Sequence, residues 1–170
     1  MLPNIDLRIA NMTKALEQVI LPALPREQRL ARDQAMLVLG QLRMISQQWK
    51  SALRYEALSL DELVVLARAL ASEAPASIGE PLEAALAVAQ DCDRTSITAL
   101  EQACIALGHA VDAAILGGAE HLPLSPAATD AVLDYGLRHA RRERTWFKAN
   151  QMDPDQGDLP DIDAMLAAAD

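Results

Sequence analysis

Aromatic residues are nearly absent from this chain, although apolar residues are abundant. Two tryptophans, two tyrosines and one phenylalanine make up 3% of the 170 residues, against 51% for the apolar residues together. Alanine, leucine, valine, isoleucine and methionine must therefore fill the core. Leucine and alanine favour helices, whereas sheets favour β-branched and aromatic side chains. The sequence predicts an all-α fold, a helical bundle of four main helices with additional short helices.

Apolar residues that repeat every three to four positions mark the first two helices. The first is predicted over residues 4–21, because Pro22 and Pro25 remove backbone donors and disfavour helical geometry before them. The second, which contains no proline, is predicted over residues 26–54. Its centre, Ala35–Leu39, is apolar all round, so we expect it to be buried on more than one side.

Capping signals and a heptad pattern mark the middle of the chain. A capping box from Ser59 to Glu62 predicts a helix that begins there and ends near Ser72. The segment 75–81 is predicted to be a break, with Pro81 in the first turn of the following helix. The next segment carries a heptad seam that ends at a glycine pair. The seam consists of Ile97, Leu100, Cys104, Leu107, Val111 and Ala114.

The last main helix is predicted to begin at Ser125-Pro126 and to run to about Gln151, with apolar residues on two sides. An acidic run with proline and glycine follows Met152. We therefore expect residues 1–152 to form the bundle domain and residues 153–170 to form an acidic C-terminal tail. A short amphipathic helix is predicted within that tail, with one apolar face formed by Ile162, Met165 and Leu166.

Charge is sorted along the chain. Residues 138–148 hold five basic residues and one acidic residue, whereas residues 153–170 hold six acidic residues and no basic one. The tail thus supplies −6 of the formal net charge of −9, and 15 basic against 18 acidic residues leave −3 for the rest. The basic segment is a candidate interaction face. Its residues are Arg138, Arg141, Arg142, Arg144, Trp146, Phe147 and Lys148.

Three uses of this basic face are open. Basic residues interleaved with aromatic ones can hold phosphates and stack bases, but the acidic chain opposes approach to a polyanion. We therefore do not expect nucleic-acid binding. The face is either solvated or a docking site for the acidic tail, within the same chain or in a symmetry mate. In the docked case Ile162, Met165 and Leu166 would supply the apolar contact.

No pattern of metal ligands or catalytic residues stands out. Di-iron bundles use Glu-x-x-His on two helices, and this chain lacks that spacing. We expect His109 on the surface, His121 in a loop and His139 as a hydrogen-bonded residue at the edge of the core. Phosphate loops, dinucleotide fingerprints, nucleophile elbows and zincin motifs are also absent from the sequence. The prediction is that the protein has no metal, no cofactor and no catalytic residues.

The cysteines and the hydropathy pattern predict where the protein resides. Cys92 and Cys104 are twelve residues apart and belong to no Cys-x-x-Cys motif, so free thiols in a reducing compartment are expected. The N-terminal residues do not resemble a signal peptide, and no apolar stretch is long enough to span a bilayer. These patterns predict a soluble, cytoplasmic protein.

Function is predicted by class only. Apolar residues on more than one face of the helices at residues 26–54 and 126–152 exceed what one four-helix core shields. We therefore expect a non-catalytic protein that acts through protein–protein interaction or self-association, most simply as a homodimer. The partner is a second copy or an unknown protein, neither a membrane nor a nucleic acid. The alternative is a small-ligand-binding protein or enzyme with an apolar cavity between its helices.

Overall fold

The computed structural model describes residues 4–117 and 123–168, and its fold is all-α as predicted. Within those ranges there is no β-strand, and no helix is long and apolar enough to cross a membrane. The chain divides into two compact units. The first contains Met1–Ser51 and Glu143–Met165, and the second contains Ala52–Arg142 and Leu166–Asp170. A compact unit need not fold independently, so the predicted domain boundary after Met152 stays a prediction.

The first unit begins with a nearly continuous helix. Helix α1 spans Ile5–Ala15, a wider π-helical turn spans Leu16–Ile20, and α2 adds Leu21–Ala23. The side chain of Asn4 accepts a hydrogen bond from the Leu7 amide and so caps the N-terminus of α1. The helix ends ahead of Pro25, within a few residues of the end predicted from the two prolines.

Helix α3 spans Arg29–Gln48 and packs against α1. Two further contacts join the same segments: Arg43 of α3 pairs with Glu17 of the π-helical turn at 2.9 Å, and the indole of Trp49, directly after α3, donates to Asp6 of α1 at 3.0 Å.

Burial at the centre of α3 is one-sided. In the segment Ala35–Leu39 the two end residues, Ala35 and Leu39, are buried on the same side, whereas Met36, Leu37 and Val38 are about half exposed. The prediction that the centre of this helix is buried on more than one side is therefore wrong. Packing against α1 and against the 3-10 turn at Lys148–Asn150 covers part of the surface of α3, and Met36, Leu37 and Val38 remain in contact with water.

Helix α4 spans Ala52–Ala71 and follows a short turn at residues 49–51. The prediction of one long helix to residue 54 and a new helix start at Ser59 is therefore wrong. Ser59 lies inside α4, where its hydroxyl donates to the Tyr55 carbonyl at 2.9 Å. A serine three residues before a glutamate forms a capping box only where the serine backbone is non-helical, and here the backbone is already helical.

The second unit is built around α4, α5 (Ala76–Gln90) and α6 (Ile97–Ile115), which pack against one another pairwise. Helix α5 begins earlier than predicted, because Pro75 takes the N-cap position. Pro81 consequently lies in the second turn, not the first. The buried core of this unit consists of Leu60, Leu63, Leu66, Ala67, Leu70, Leu82, Leu86, Ala89, Leu100, Ala103, Leu107, Val111, Ala114 and Ala128.

The heptad seam forms the buried side of α6. Leu100, Leu107, Val111 and Ala114 are buried, whereas Cys104 is partly buried and Ile97 is exposed at the first turn. The Ser96 hydroxyl caps the helix by accepting a hydrogen bond from the Ala99 amide at 3.3 Å. Beyond the C-terminus of α6, Gly117 adopts a left-handed conformation with φ 75°, which glycine tolerates without a steric penalty.

Helix α7 spans Pro126–Trp146, with the Ser125 hydroxyl accepting a hydrogen bond from the Ala128 amide at 3.1 Å. It ends five residues before the predicted end at Gln151, and a 3-10 turn follows at Lys148–Asn150. Gln151 then takes a left-handed conformation, with φ 59°. The tail contains a second 3-10 turn at Gln156–Asp158 and the helix α8 at Ile162–Ala167.

Candidate interaction site

The basic residues of the predicted interaction face divide between the two units of the chain. Arg138 and Arg142 are four residues apart and therefore lie on the same side of α7, whereas Lys148 lies beyond the helix, in the 3-10 turn. Arg138 and Arg142 belong to the second unit and contact α4. Arg144 and Lys148 belong to the first unit and contact the acidic tail.

Arg142 is drawn into the second unit. Its side chain is only 4% exposed and forms an ion pair with Glu62 of α4. Its guanidinium carbon lies 5.8 Å from the centre of the Tyr55 ring, a cation–π distance. Arg138 reaches the same carboxylate at 3.7 Å. Arg142 is therefore not available as part of an exposed interaction face, which corrects the prediction for this residue.

His139 completes this cluster at the edge of the core. Its Nδ1 lies 2.8 Å from Arg142 Nη2, and its ring stacks on Tyr135 with 5.5 Å between the ring centres. Arginine can only donate hydrogen bonds, so the His139 Nδ1 atom is the acceptor in this contact. This geometry matches the predicted hydrogen-bonded histidine at the boundary of the core.

Arg144 holds the beginning of the tail. Its Nε and Nη2 atoms donate to the two oxygens of Asp153, at 2.6 and 3.1 Å, and Asp155 lies 3.8 Å away. The backbone amide of Asp155 also donates to Asp153, at 2.9 Å. The Arg144 hydrogen bond, followed by the Asp155 amide, lowers the pKa of Asp153 from its usual value. A planar, two-point contact of this kind pairs the charges of the guanidinium and the carboxylate and also fixes their relative orientation.

Lys148 holds the middle of the tail. Its ammonium group donates to the Leu159 carbonyl at 2.7 Å and to Asp161 at 3.3 Å, while the Leu159 side chain is buried. Of the predicted docking residues, Leu166 is buried, and Ile162 and Met165 are partly buried.

Leu159 was missed by the sequence analysis, although a signal was present. It is the only leucine, isoleucine, valine or methionine in the acidic segment 153–161. An isolated apolar side chain between acidic residues is an available anchor, because burying it removes apolar surface from water.

The other predicted interaction residues differ in how exposed their side chains are. Trp146 is partly buried, and its carbonyl accepts a hydrogen bond from the Gln48 side chain at 2.7 Å. Phe147 is 44% exposed, and Arg141 is exposed. An open cleft of about 410 Å³ adjoins the tail, lined by Gln47, Thr145, Lys148, Asp161, Ile162 and Asp163.

The remaining candidate groups are placed as follows. His109 is exposed, and His121 lies outside the described residues. Within residues 4–117 and 123–168, no three histidine, cysteine, aspartate or glutamate residues come together in a way that could hold a metal ion. A cavity of about 40 Å³ lies in the second unit beside Leu70, Pro75 and Leu124.

Both cysteines are free thiols and partly buried. Burial, reinforced by the nearby Glu56 carboxylate, raises the pKa of the Cys104 thiol to about 11. Because the thiolate is the reactive form, Cys104 is a poor nucleophile at neutral pH.

We expect the Arg144–Asp153 contact to persist down to about pH 4 and to weaken below it. The folded state lowers the pKa of Asp153 below its usual 3.8, so the stabilisation is present above that pH and is lost as the pH falls through the folded value. The amide proton of Asp155, which bonds to this carboxylate, reports the titration by NMR. Its midpoint should rise in Arg144→Gln. An unchanged midpoint in that variant would contradict the assignment.

Comparisons with known proteins add no functional information. No protein-family model matches this chain, and no match to a curated protein or to a solved structure was found.

Proposed function

We propose that this protein is a non-catalytic helical protein that associates with a second copy of itself through an exposed face of α3. The observation that carries this proposal is an uncharged stripe along that helix, here called the α3 stripe. It consists of Leu30, Gln34, Leu37, Val38, Gln41 and Ile45, all of which are exposed.

The spacing of these residues places them on one side of the helix. With 3.6 residues per turn, the positions 4, 7, 8, 11 and 15 residues after Leu30 fall, together with Leu30, within a sector about 100° wide. The charged residues of α3 lie at least about 90° away from the midline of the stripe by the same geometry. They are Arg29, Arg32, Asp33 and Arg43. The stripe therefore contains apolar side chains and glutamine amides but no charged side chain.

A second copy is the partner that best fits this surface. Two copies of a chain with net charge −9 repel each other overall, and a face without charge reduces that repulsion where they meet. In a two-fold dimer the same patch meets itself, so an uncharged stripe brings no like charges into contact. Monomeric proteins rarely leave large apolar patches in water, which also favours a covered state for these aliphatic residues.

A nucleic-acid partner has less support. The overall charge opposes it, and basic residues at the candidate site have carboxylate partners within their own chain: Glu62 for Arg142, Asp153 for Arg144 and Asp161 for Lys148.

A reducing, cytoplasmic location fits the two free cysteines. The small-ligand alternative stays a prediction.

The test is sedimentation equilibrium of the wild-type protein and two matched variants. We expect a dimer at tens of micromolar and at least a tenfold weaker dimer for Val38→Glu, since tenfold corresponds to only about 1.4 kcal/mol and two unpaired charges would be buried. Val88→Glu makes the same change at an exposed valine on α5 and should leave the dimer unchanged. A wild-type monomer at these concentrations, or equal effects of the two variants, would refute the proposal.

A further inference from the structure

We propose that the end of α7 is a binding site for an acidic segment presented in trans, and that its occupant is the tail of a second copy of this chain. In the structure this site holds the tail of its own chain. The inference rests on the proposed self-association, because it needs a second copy. It goes further by assigning a site, its ligand chemistry and the residues on each side of the contact.

The first argument is chemical complementarity. The site offers a guanidinium at Arg144 and an ammonium at Lys148, and the tail offers the carboxylates of Asp153 and Asp161. Lys148 also binds the backbone carbonyl of Leu159, whose side chain is buried. The site therefore recognises a carboxylate, a main-chain carbonyl and an apolar side chain in a fixed order, which is more specific than attraction between opposite charges.

The second argument is that the contact within one chain is replaceable. Arg144 is 45% exposed and its partner Asp153 is 15% exposed, whereas Lys148 is 30% exposed and its partner Asp161 is 91% exposed. The Lys148–Asp161 pair is therefore open to water and contributes little stability by itself. The contacts of Arg144 and Lys148 join α7, or the turn directly after it, to the tail, and Ser51 also donates to Asp163 of the tail at 3.4 Å. The tail of a second copy carries the same acceptors and can offer them to Arg144, Lys148 and Ser51.

The third argument concerns the connection between site and tail. The chain leaves the 3-10 turn at Lys148–Asn150 through Gln151, which adopts a left-handed conformation, and Met152, which is 74% exposed. A short exposed connection next to an exchanged segment is the usual hinge of domain swapping. The open cleft of about 410 Å³ beside the tail also lets an incoming segment reach Lys148 before the original tail leaves.

The experiment uses the full chain and a contact that it already contains. Unlabelled and ¹⁵N-labelled copies are mixed, incubated at tens of micromolar, and coupled with a carbodiimide, which joins a lysine amine directly to a nearby carboxylate. Mass spectrometry then determines whether the Lys148–Asp161 link joins peptides of the same isotope or of different isotopes. The two groups lie 3.3 Å apart in the structure, which is within reach of such coupling.

We expect mixed-isotope Lys148–Asp161 links that increase with protein concentration. They should approach about half of all such links for a fully exchanged dimer in an equal mixture, because labelled and unlabelled copies pair at random. The control is Lys50–Asp6, a lysine–aspartate pair at 2.8 Å between the turn after α3 and α1, which should give same-isotope links only. If every Lys148–Asp161 link joins two peptides of the same isotope, the inference is overturned.

A second measurement remains informative if exchange between whole chains is slow. A fluorescent peptide with the sequence of residues 153–168 should bind Leu159→Asp at least about tenfold more tightly than wild type, whose own tail competes at a high effective concentration. Adding Arg144→Glu and Lys148→Glu to that variant should remove binding, and a peptide carrying Asp153→Lys and Asp161→Lys should restore it. Adding Arg29→Glu, remote from the site in sequence, should have no effect. No rescue by the charge-swapped peptide would refute the site.

The outcomes separate the two proposals. A wild-type dimer that gives only same-isotope links refutes tail exchange and leaves self-association through the α3 stripe standing. Peptide binding is measured on single chains, so its loss upon Arg144→Glu and Lys148→Glu supports the site even where sedimentation shows a monomer. Equal competition by an unrelated polyglutamate peptide would show that the site responds to charge alone, and would overturn recognition of the tail.

Discussion

Leu107→Ala is expected to lower the free energy of unfolding by about 2 to 5 kcal/mol. Leu107 is fully buried at 0% exposure in the seam of α6, where it belongs to the core shared with α4 and α5. The loss combines the transfer free energy of the deleted methyl groups with the cavity that the surrounding helices fill only in part. Urea unfolding followed by circular dichroism measures the change.

Ile105→Ala provides the matched control for this prediction. Ile105 lies on the same helix but is 60% exposed, so its truncation removes little buried area and should cost less than about 1 kcal/mol. Alanine also has the higher helix propensity, which reduces the cost further. Similar losses for the two substitutions would mean that α6 presents a different side to the core.

Glu62→Gln is expected to destabilise the protein by about 3 kcal/mol, because it leaves the buried guanidinium of Arg142 without a counter-charge. The value is at the low end for a broken buried pair, since Glu62 is 21% exposed. Arg142 cannot lose its charge in compensation, because arginine remains protonated in proteins. Urea unfolding at neutral pH measures this loss.

The neighbouring Asp61→Asn gives the control for Glu62→Gln. Asp61 pairs with Arg94 at 2.6 Å, but both side chains are about half exposed, so this substitution should cost less than about 1 kcal/mol. The double variant Glu62→Leu and Arg142→Met should be more stable than Glu62→Gln, since apolar replacement of both partners removes the unpaired charge. A double variant as unstable as Glu62→Gln would show that the ion pair is not the cause.

Local signals in the sequence predicted the elements whose boundaries are set locally. Ser96 and Ser125 cap α6 and α7 through their own hydroxyls, and Gly117 provides the left-handed residue after α6. The heptad spacing identified the buried side of α6 because one helix face meets a continuous core over the length of the pattern. These signals depend on residues within a few positions of each other, so a single sequence contains them.

The turn at residues 49–51 could not be predicted in this way. It contains neither glycine nor proline, and its stabilising contacts come from distant parts of the chain. The side chain of Gln48 reaches the Trp146 carbonyl at 2.7 Å, and Ser51 is buried and donates to Asp163 at 3.4 Å. Tertiary contacts of this kind override helix propensity, so the chain turns where the local sequence favours continuation.

The sequence predicted only part of the candidate site, because here too contacts between distant residues decide which side chains meet. Charge sorting indicated that the basic segment and the acidic tail belong together, and Arg144 and Lys148 do contact it. The sequence did not show that Arg142 turns toward Glu62, because the partner lies eighty residues away and the glutamate resembled a capping residue. Among like charges on one helix, only the packing of that helix decides which of them are buried.

The division of the chain into two units gives its two tryptophans a common location. Trp49 and Trp146 both belong to the first unit, whereas helices contribute to the ellipticity of both units. Tryptophan fluorescence, excited at wavelengths that tyrosine does not absorb, therefore follows the environment of the first unit, and far-ultraviolet ellipticity follows the whole chain. In a denaturant titration, coincident curves from the two signals identify one cooperative transition, and separated curves assign a stability to each unit without any added label.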